Sequence, residues 1–308
     1  MIKEDNSIID TSSIDIKNIF KLIFEKKVLL STLTIFFALL SFVYSLFLPN
    51  IYQSKSILVP AFSQNSILAS SSNFSAVADM AGFKFPAENN NKTKEAIERI
   101  KSYHFFENYF LPNIRFENLV AIVGWESSTN EFIYDKNIYD INTKKWNMSI
   151  NEGGKPSNQE AFEIYNEKVK IFENKSTSFV SITVEHYSPD IAKKWVNVII
   201  ENINENMRSQ DQELAQNSIN FLSKTIDSLN IKSLIDASSR IVEEQMKILM
   251  ISSSNPEYIF KVLDPPISPE KISSPNRLLI CIIGTFLGAL VSILTITVLH
   301  YKDKIYMK

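Results

Sequence analysis

Cysteine is nearly absent from this chain: its 308 residues contain one, Cys281, and it lies inside a long apolar run. A single thiol closes no internal disulfide, so the fold must hold by packing and hydrogen bonding alone. Histidine is also scarce. His104, His186 and His300 are scattered, and none stands at ligand spacing with another histidine, a cysteine or paired carboxylates. Glu185-His186 followed by Asp190 has acid–base residue types, but such neighbours fit a solvated helix entrance better than a catalytic pair. No G-x-x-x-x-G-K-[ST] occurs; Gly153-Gly154-Lys155 is followed by Pro156, so phosphate cradling is excluded there. No catalytic, cofactor-binding or metal-binding set passes a spacing test, and a non-enzymatic protein is expected. Excess charge of one sign is lacking too. The 32 Lys and Arg against 34 Asp and Glu give a net charge of -2, which offers nucleic acid no basic face.

What is present is a pair of uncharged apolar runs, residues 28–48 and 278–299, with a water-soluble stretch between them. Each is long enough to cross a hydrocarbon core of ~30 Å as a helix rising ~1.5 Å per residue. Lys17, Lys21, Lys26 and Lys27 precede the first run, and Lys302, Lys304 and Lys308 follow the second. That bias puts both short tails, 1–27 and 300–308, on the cytoplasmic side and residues 49–277 outside. The first run is too long for a cleaved signal core and no A-x-A site follows it, so it reads as a signal-anchor. Before it, Ile16, Ile19, Phe20, Ile23 and Phe24 recur at helical spacing among lysines, which fits a short amphipathic helix or an extension of the span.

Between the spans, residues 51–59 are β-friendly and stop at Pro60. A short helix is expected at 76–80 and another over 94–110, ending at Pro112. Residues 121–145, with Trp125, Tyr134 and Tyr139, suggest loop and short strands, the aromatics fitting a core better than a glycan platform. Ser157 and Glu160 form a capping box that opens a helix to about residue 171. A half-buried strand follows over 178–186, where Val180, Ile182 and Val184 alternate with polar residues. Ser188 as N-cap and Pro189 at the first helical position then start the longest helical region, 189–252. Ile191, Trp195, Ile199, Ile203 and Met207 recur every four residues, with Leu214, Phe221, Leu222, Ile226 and Leu229 beyond them. Glu201, Glu205, Asp211 and Glu213 read as an acidic, solvated flank. A break near Ser233 starts a second helix over 234–250, and a strand over 258–263 is expected to join those near Ile51 and Val180.

The linker at 264–277 carries Pro265, Pro266, Pro269 and Pro275, which favour an extended, stiff spacer before the second span. Inside that span Gly284 and Gly288 are four residues apart, with Ser292 one turn further. In a chain with six glycines this stripe points to close helix–helix approach in lipid. The first span reads as a plain apolar anchor, and the second as the one that makes contacts.

Several of these segments together resemble a known family, the Wzz-type O-antigen chain-length determinants of the polysaccharide co-polymerases. They are the signal-anchor, IYQSK at 51–55, GWESSTNEFIYDKNIYD at 124–140, VSITVEHYSPDIAKKWVNVIIENIN at 180–204, and DPPISPEKISSPNR at 264–277 running into Gly284-x-x-x-Gly288. The looser spacing between Pro269 and Pro275 departs from a regular P-x-x-P run. The resemblance implies an α+β membrane protein of the bacterial inner membrane. Two transmembrane helices would flank a periplasmic domain with a small membrane-proximal α/β base and a long extended helix. It also implies a ring-like homo-oligomer, contact with an O-antigen polymerase and lipid-linked glycan, and control of modal chain length in lipopolysaccharide biosynthesis. The alternative is a membrane adaptor for a separate cytoplasmic tyrosine kinase in capsule or exopolysaccharide synthesis; Tyr301 and Tyr306 suit contact with such a kinase, but tyrosine is expected at a membrane interface in any case.

Overall fold

A computed structural model describes residues 26–61, 88–147, 154–226 and 232–306. The helix expected at 76–80, the amphipathic stretch before the first span and part of the Gly153 loop lie outside these residues. The chain divides into two units, one holding residues 50–273 and the other the flanking segments.

The first apolar run is helix α1 (Lys27–Phe47). Strand β1 (Tyr52–Pro60) follows and occupies an interior position in a four-stranded antiparallel sheet, between the strands Val180–His186 and Phe260–Asp264, with Val169–Glu173 at the far edge beyond Val180–His186. Pro60 is the last residue of this strand, which stops there as the sequence suggests. It stands opposite Phe260, whose N–H and C=O are both bound by Asn204, so the ladder asks no donor of the proline at that position.

Helix α2 (Glu88–Ile100) begins earlier and stops sooner than the spacing of its apolar residues predicts. Ser102 interrupts it: its hydroxyl donates to Arg99 O at 2.7 Å and accepts from Phe105 N at 3.2 Å, which caps a new start. The chain then turns through a π-helical stretch, Phe106–Phe110, and a 3-10 turn, Leu111–Asn113, around Pro112. This irregular path buries Phe105, Phe106 and Phe110 together. Helix α3 (Phe116–Val120) leads into two small hairpins, β2 (Ile122–Glu126) with β3 (Glu131–Tyr134), and β4 (Tyr139–Asp140) with β5 (Lys145–Trp146).

The capping box forms as expected. Glu160 N donates to the Ser157 hydroxyl at 3.2 Å and Ser157 N donates to the Glu160 carboxylate at 2.8 Å, opening α4 (Asn158–Lys168). The helix does not reach residue 171. Val169–Glu173 is strand β6, paired with β7 (Val180–His186), because Val169 and Ile171 alternate with Lys170 and Phe172 and a neighbouring strand is available.

Helix α5 (Pro189–Ile226) has 38 residues and spans ~57 Å. Its buried stripe keeps the four-residue interval through Ile191, Trp195, Ile199, Ile203 and Met207 and resumes it, past the half-buried Asp211, at Ala215 and Ile219. Four residues turn ~400° around an α-helix, so such a stripe drifts ~40° per step and winds around the axis. Leu214 and Phe221 therefore miss the buried face and stay exposed, against the sequence expectation. The first half of α5 packs on the sheet, and α6 (Lys232–Ser254) returns along it. Ser188 sits at the N-cap position, where its C=O accepts from Ala192 N at 3.1 Å. Its hydroxyl is buried without a partner, so it does not cap the helix as the sequence suggested.

Strand β8 (Phe260–Asp264) closes the sheet beside β1, and α7 (Arg277–Tyr306) is the second apolar helix. It extends as one continuous helix into the segment expected to be a tail. The core of the central unit gathers Leu58, Ile100, Phe110, Tyr165, Ile182, Trp195 and Phe260 between sheet, α2, α4 and α5.

Candidate functional site

Two features of the sequence drew attention to the second span and its lead-in, and the structure gives each a definite partner. The lead-in is tied sideways to β1. The buried hydroxyls of Ser54 and Ser56 donate to Ile267 O and Asp264 O, each at 2.7 Å. Ser273 N donates to Ile51 O at 2.9 Å, the Ser273 hydroxyl donates to Gln53 Oε1 at 2.8 Å, and the Ser268 hydroxyl donates to Asp190 Oδ1 at 2.5 Å. Pro266 is buried, Pro269 is half-buried and Pro265 is exposed. Residues 264–273 thus form a strap strung along the sheet, with proline removing donors that the strap leaves unused. Pro275 belongs to the other unit, just before α7.

In that other unit α1 and α7 pack against each other. A Cβ placed on Gly284 would collide with the side chain of Ser41, and one on Gly288 would lie 2.6 Å from Phe37 Cβ. Carbon atoms in contact stand ~3.5–4.0 Å apart, so only glycine admits this approach. Ser41 donates to Ile280 O at 2.8 Å, and Ser292, fully buried, donates to Gly288 O at 2.6 Å and lies 3.4 Å from the Thr34 hydroxyl. Helix α1 is therefore not a plain apolar anchor. Thr34, Ser41 and Ser45 face its partner, and their spacing at helical intervals in an otherwise apolar run was the sequence signal for it.

Elsewhere the polar groups serve structure. His186 is buried; its Nδ1 accepts from Ser188 N at 2.9 Å and its Nε2 donates to Asn118 O at 3.0 Å. Burial holds its pKa down at about 4, with the Lys168 ammonium acting the same way, so the ring is neutral and both nitrogens are committed. It is a buried joint between α3 and the start of α5 rather than a solvated helix entrance. His104 meets Asn108. Asp211, expected on a solvated flank, accepts from Tyr258 Oη at 2.5 Å and pairs with Lys92 at 2.7 Å, while Glu205 pairs with Arg208. Burial and the Asp211 carboxylate both raise the Tyr258 pKa and keep its proton in place. Tyr134 donates to Asn118 Oδ1 at 2.8 Å, Tyr139 is buried, and Trp125 meets the Tyr52 ring edge-to-face at 5.6 Å. Lys155 caps the ring of Phe116 at 4.2 Å. Among the described residues no group of three or more His, Cys, Asp or Glu could hold a metal ion. Asn204, which sequence reasoning passed over, is the most committed buried polar side chain of the base, with three bonds to the backbone of Ile259 and Phe260.

Residues 12–110 match the family model "Wzz: Chain length determinant protein". Over these residues, about a third of the chain, it is similar to the Wzz family. The matched segment takes in α1, β1 and α2, and it ties the chain to control of polysaccharide chain length in general. Members of this family are regulators rather than enzymes, and the two apolar helices fit an inner-membrane protein of that kind. No curated protein matches this chain in sequence. Among solved structures it is similar to a full-length bacterial polysaccharide co-polymerase at 10% identity and a TM-score of 0.41, over 94% of this chain and 99% of that one.

Proposed function

We propose that this protein is a non-enzymatic regulator that sets the modal length of O-antigen made by a separate polymerase in lipopolysaccharide biosynthesis. The observation that carries the reading is the family match over residues 12–110. The lysine distribution supports a two-pass arrangement in the bacterial inner membrane, with both termini cytoplasmic and residues 49–277 periplasmic. In this reading the chain works as a ring-like homo-oligomer beside the polymerase and its lipid-linked glycan. Gly284, Gly288 and Ser292 hold the two spans as one unit, and the strap with Pro265, Pro266 and Pro269 fixes the exit of the periplasmic domain.

The test is deletion of the gene followed by gel analysis of lipopolysaccharide. A narrow band of lengths should spread into an unregulated ladder and return on complementation. An unchanged ladder, with capsule or exopolysaccharide lost instead, would replace this reading by the kinase-adaptor one.

A further inference from the structure

The strap presents two large apolar side chains outward although its backbone is pinned. Ile267 is 67% exposed and Ile272 is 45% exposed. Ile267 O accepts from Ser54, and Ser273, next to Ile272, is bound twice to the first residues of the domain. These isoleucines are thus held out by an ordered backbone. Beside them, Tyr52 lies between Ile51 and Gln53, the two residues that hold Ser273, and it carries the half-buried Trp125 against its ring. Lys271, exposed, stands between the two isoleucines.

Both ends of the central unit meet here, through the Ser273–Ile51 bond. Each end continues within a few residues into an apolar helix, α1 ending at Phe47 and α7 starting at Arg277. Tryptophan and tyrosine favour the boundary between headgroups and acyl chains, and lysine can snorkel from that depth to phosphate.

We propose that Ile267, Ile272 and the Tyr52–Trp125 pair form an interfacial anchor that seats this end of the domain in the surface of a lipid bilayer. The anchor adds a lipid contact to the two spans and is independent of which glycan the protein serves. It rests on α1 and α7 being membrane spans, so its test carries a separate control for that reading.

The full chain is placed in nanodiscs of phosphatidylethanolamine and phosphatidylglycerol. Spin labels are introduced at Ile267→Cys, Ile272→Cys and, on the exposed face of β6, Phe172→Cys, each in a Cys281→Ser background. Native Cys281 is labelled separately. Depth is read from collisions with oxygen against a water-soluble nickel chelate. Labels at 267 and 272 should favour oxygen over the chelate severalfold relative to the label at 172, with Cys281 deeper still. Chelate access at 267 and 272 equal to that at 172, with Cys281 in lipid, overturns the anchor and leaves the spans intact. Labels shielded from both reagents and broadened by a second label reveal contact between copies, which also overturns it. A chelate-accessible Cys281 removes the spans and the anchor together.

Discussion

Replacing Asn204 with leucine tests whether one side chain on the long helix holds the last strand of the sheet. Asn204 is 4% exposed, its Oδ1 accepts from Ile259 N at 2.8 Å and Phe260 N at 2.9 Å, and its Nδ2 donates to Phe260 O at 3.0 Å. In effect the amide plays the part of a neighbouring strand at a place where Pro60 offers no donor. Leucine keeps the volume and removes all three bonds. Each buried group left unpaired costs about 1–3 kcal/mol, and water entry relieves part of the sum, so a local loss of roughly 3–5 kcal/mol follows. At 1.4 kcal/mol per tenfold, amide protection over residues 256–264 should fall by roughly two to three orders of magnitude. Hydrogen exchange read by mass spectrometry resolves this, with 180–186 on β7 as reference. Asn204→Asp, which keeps the acceptor and loses the donor, should fall between the two. Unchanged exchange over 256–264 in the leucine variant would refute the reasoning.

Protonating His186 breaks its bond from Ser188 N and charges a buried ring. Its pKa, about 4 in the fold, lies below the ordinary 6.5, so its contribution is complete above pH 6.5 and is lost as pH falls towards 4, up to ~3 kcal/mol. Thermal midpoints at pH 7 and pH 5 should differ more in the native chain than in His186→Gln, and equal differences count against the joint. Gly288→Leu forces a side chain into Phe37 and should lower the thermal stability of the α1–α7 pair by about 1–3 kcal/mol, whereas Leu287→Ala, at an exposed position, should leave it unchanged. Ser188→Ala removes a buried hydroxyl that has no partner, so it should not cost the ~1 kcal/mol of an ordinary N-cap, and a loss of that size in a melting curve would show that the hydroxyl caps after all. Ser157→Ala, in contrast, breaks a working capping box and should cost about 1 kcal/mol by the same measurement.

Much of this architecture was legible in the chain because it rests on local rules. Charge-free runs specify the two apolar helices, alternation specifies β7, and the Ser157–Glu160 pair opens α4 wherever the rest of the chain lies. Strand β6 was hidden because Val169 and Ile171 continue a helical pattern equally well until β7 lies beside them. The course of the α5 stripe was hidden for a similar reason. Leu214 and Phe221 are as hydrophobic as the residues before them, and only the drift of a four-residue interval decides that Ala215 and Ile219 are buried instead.

The glycine stripe shows the division most clearly. Sequence alone determined that Gly284 and Gly288 permit close approach, because a missing Cβ is a property of the residue. Only the tertiary structure decided what approaches: Ser41 and Phe37 of the same chain, reached because α1 and α7 pack against one another. The proline-rich lead-in follows the same logic. Its stiffness is written in its residues, but the bonds from Ser54, Ser56 and Ser273 that make it a strap join positions more than 200 residues apart. Such pairings are set by where the sheet closes, which no local pattern encodes.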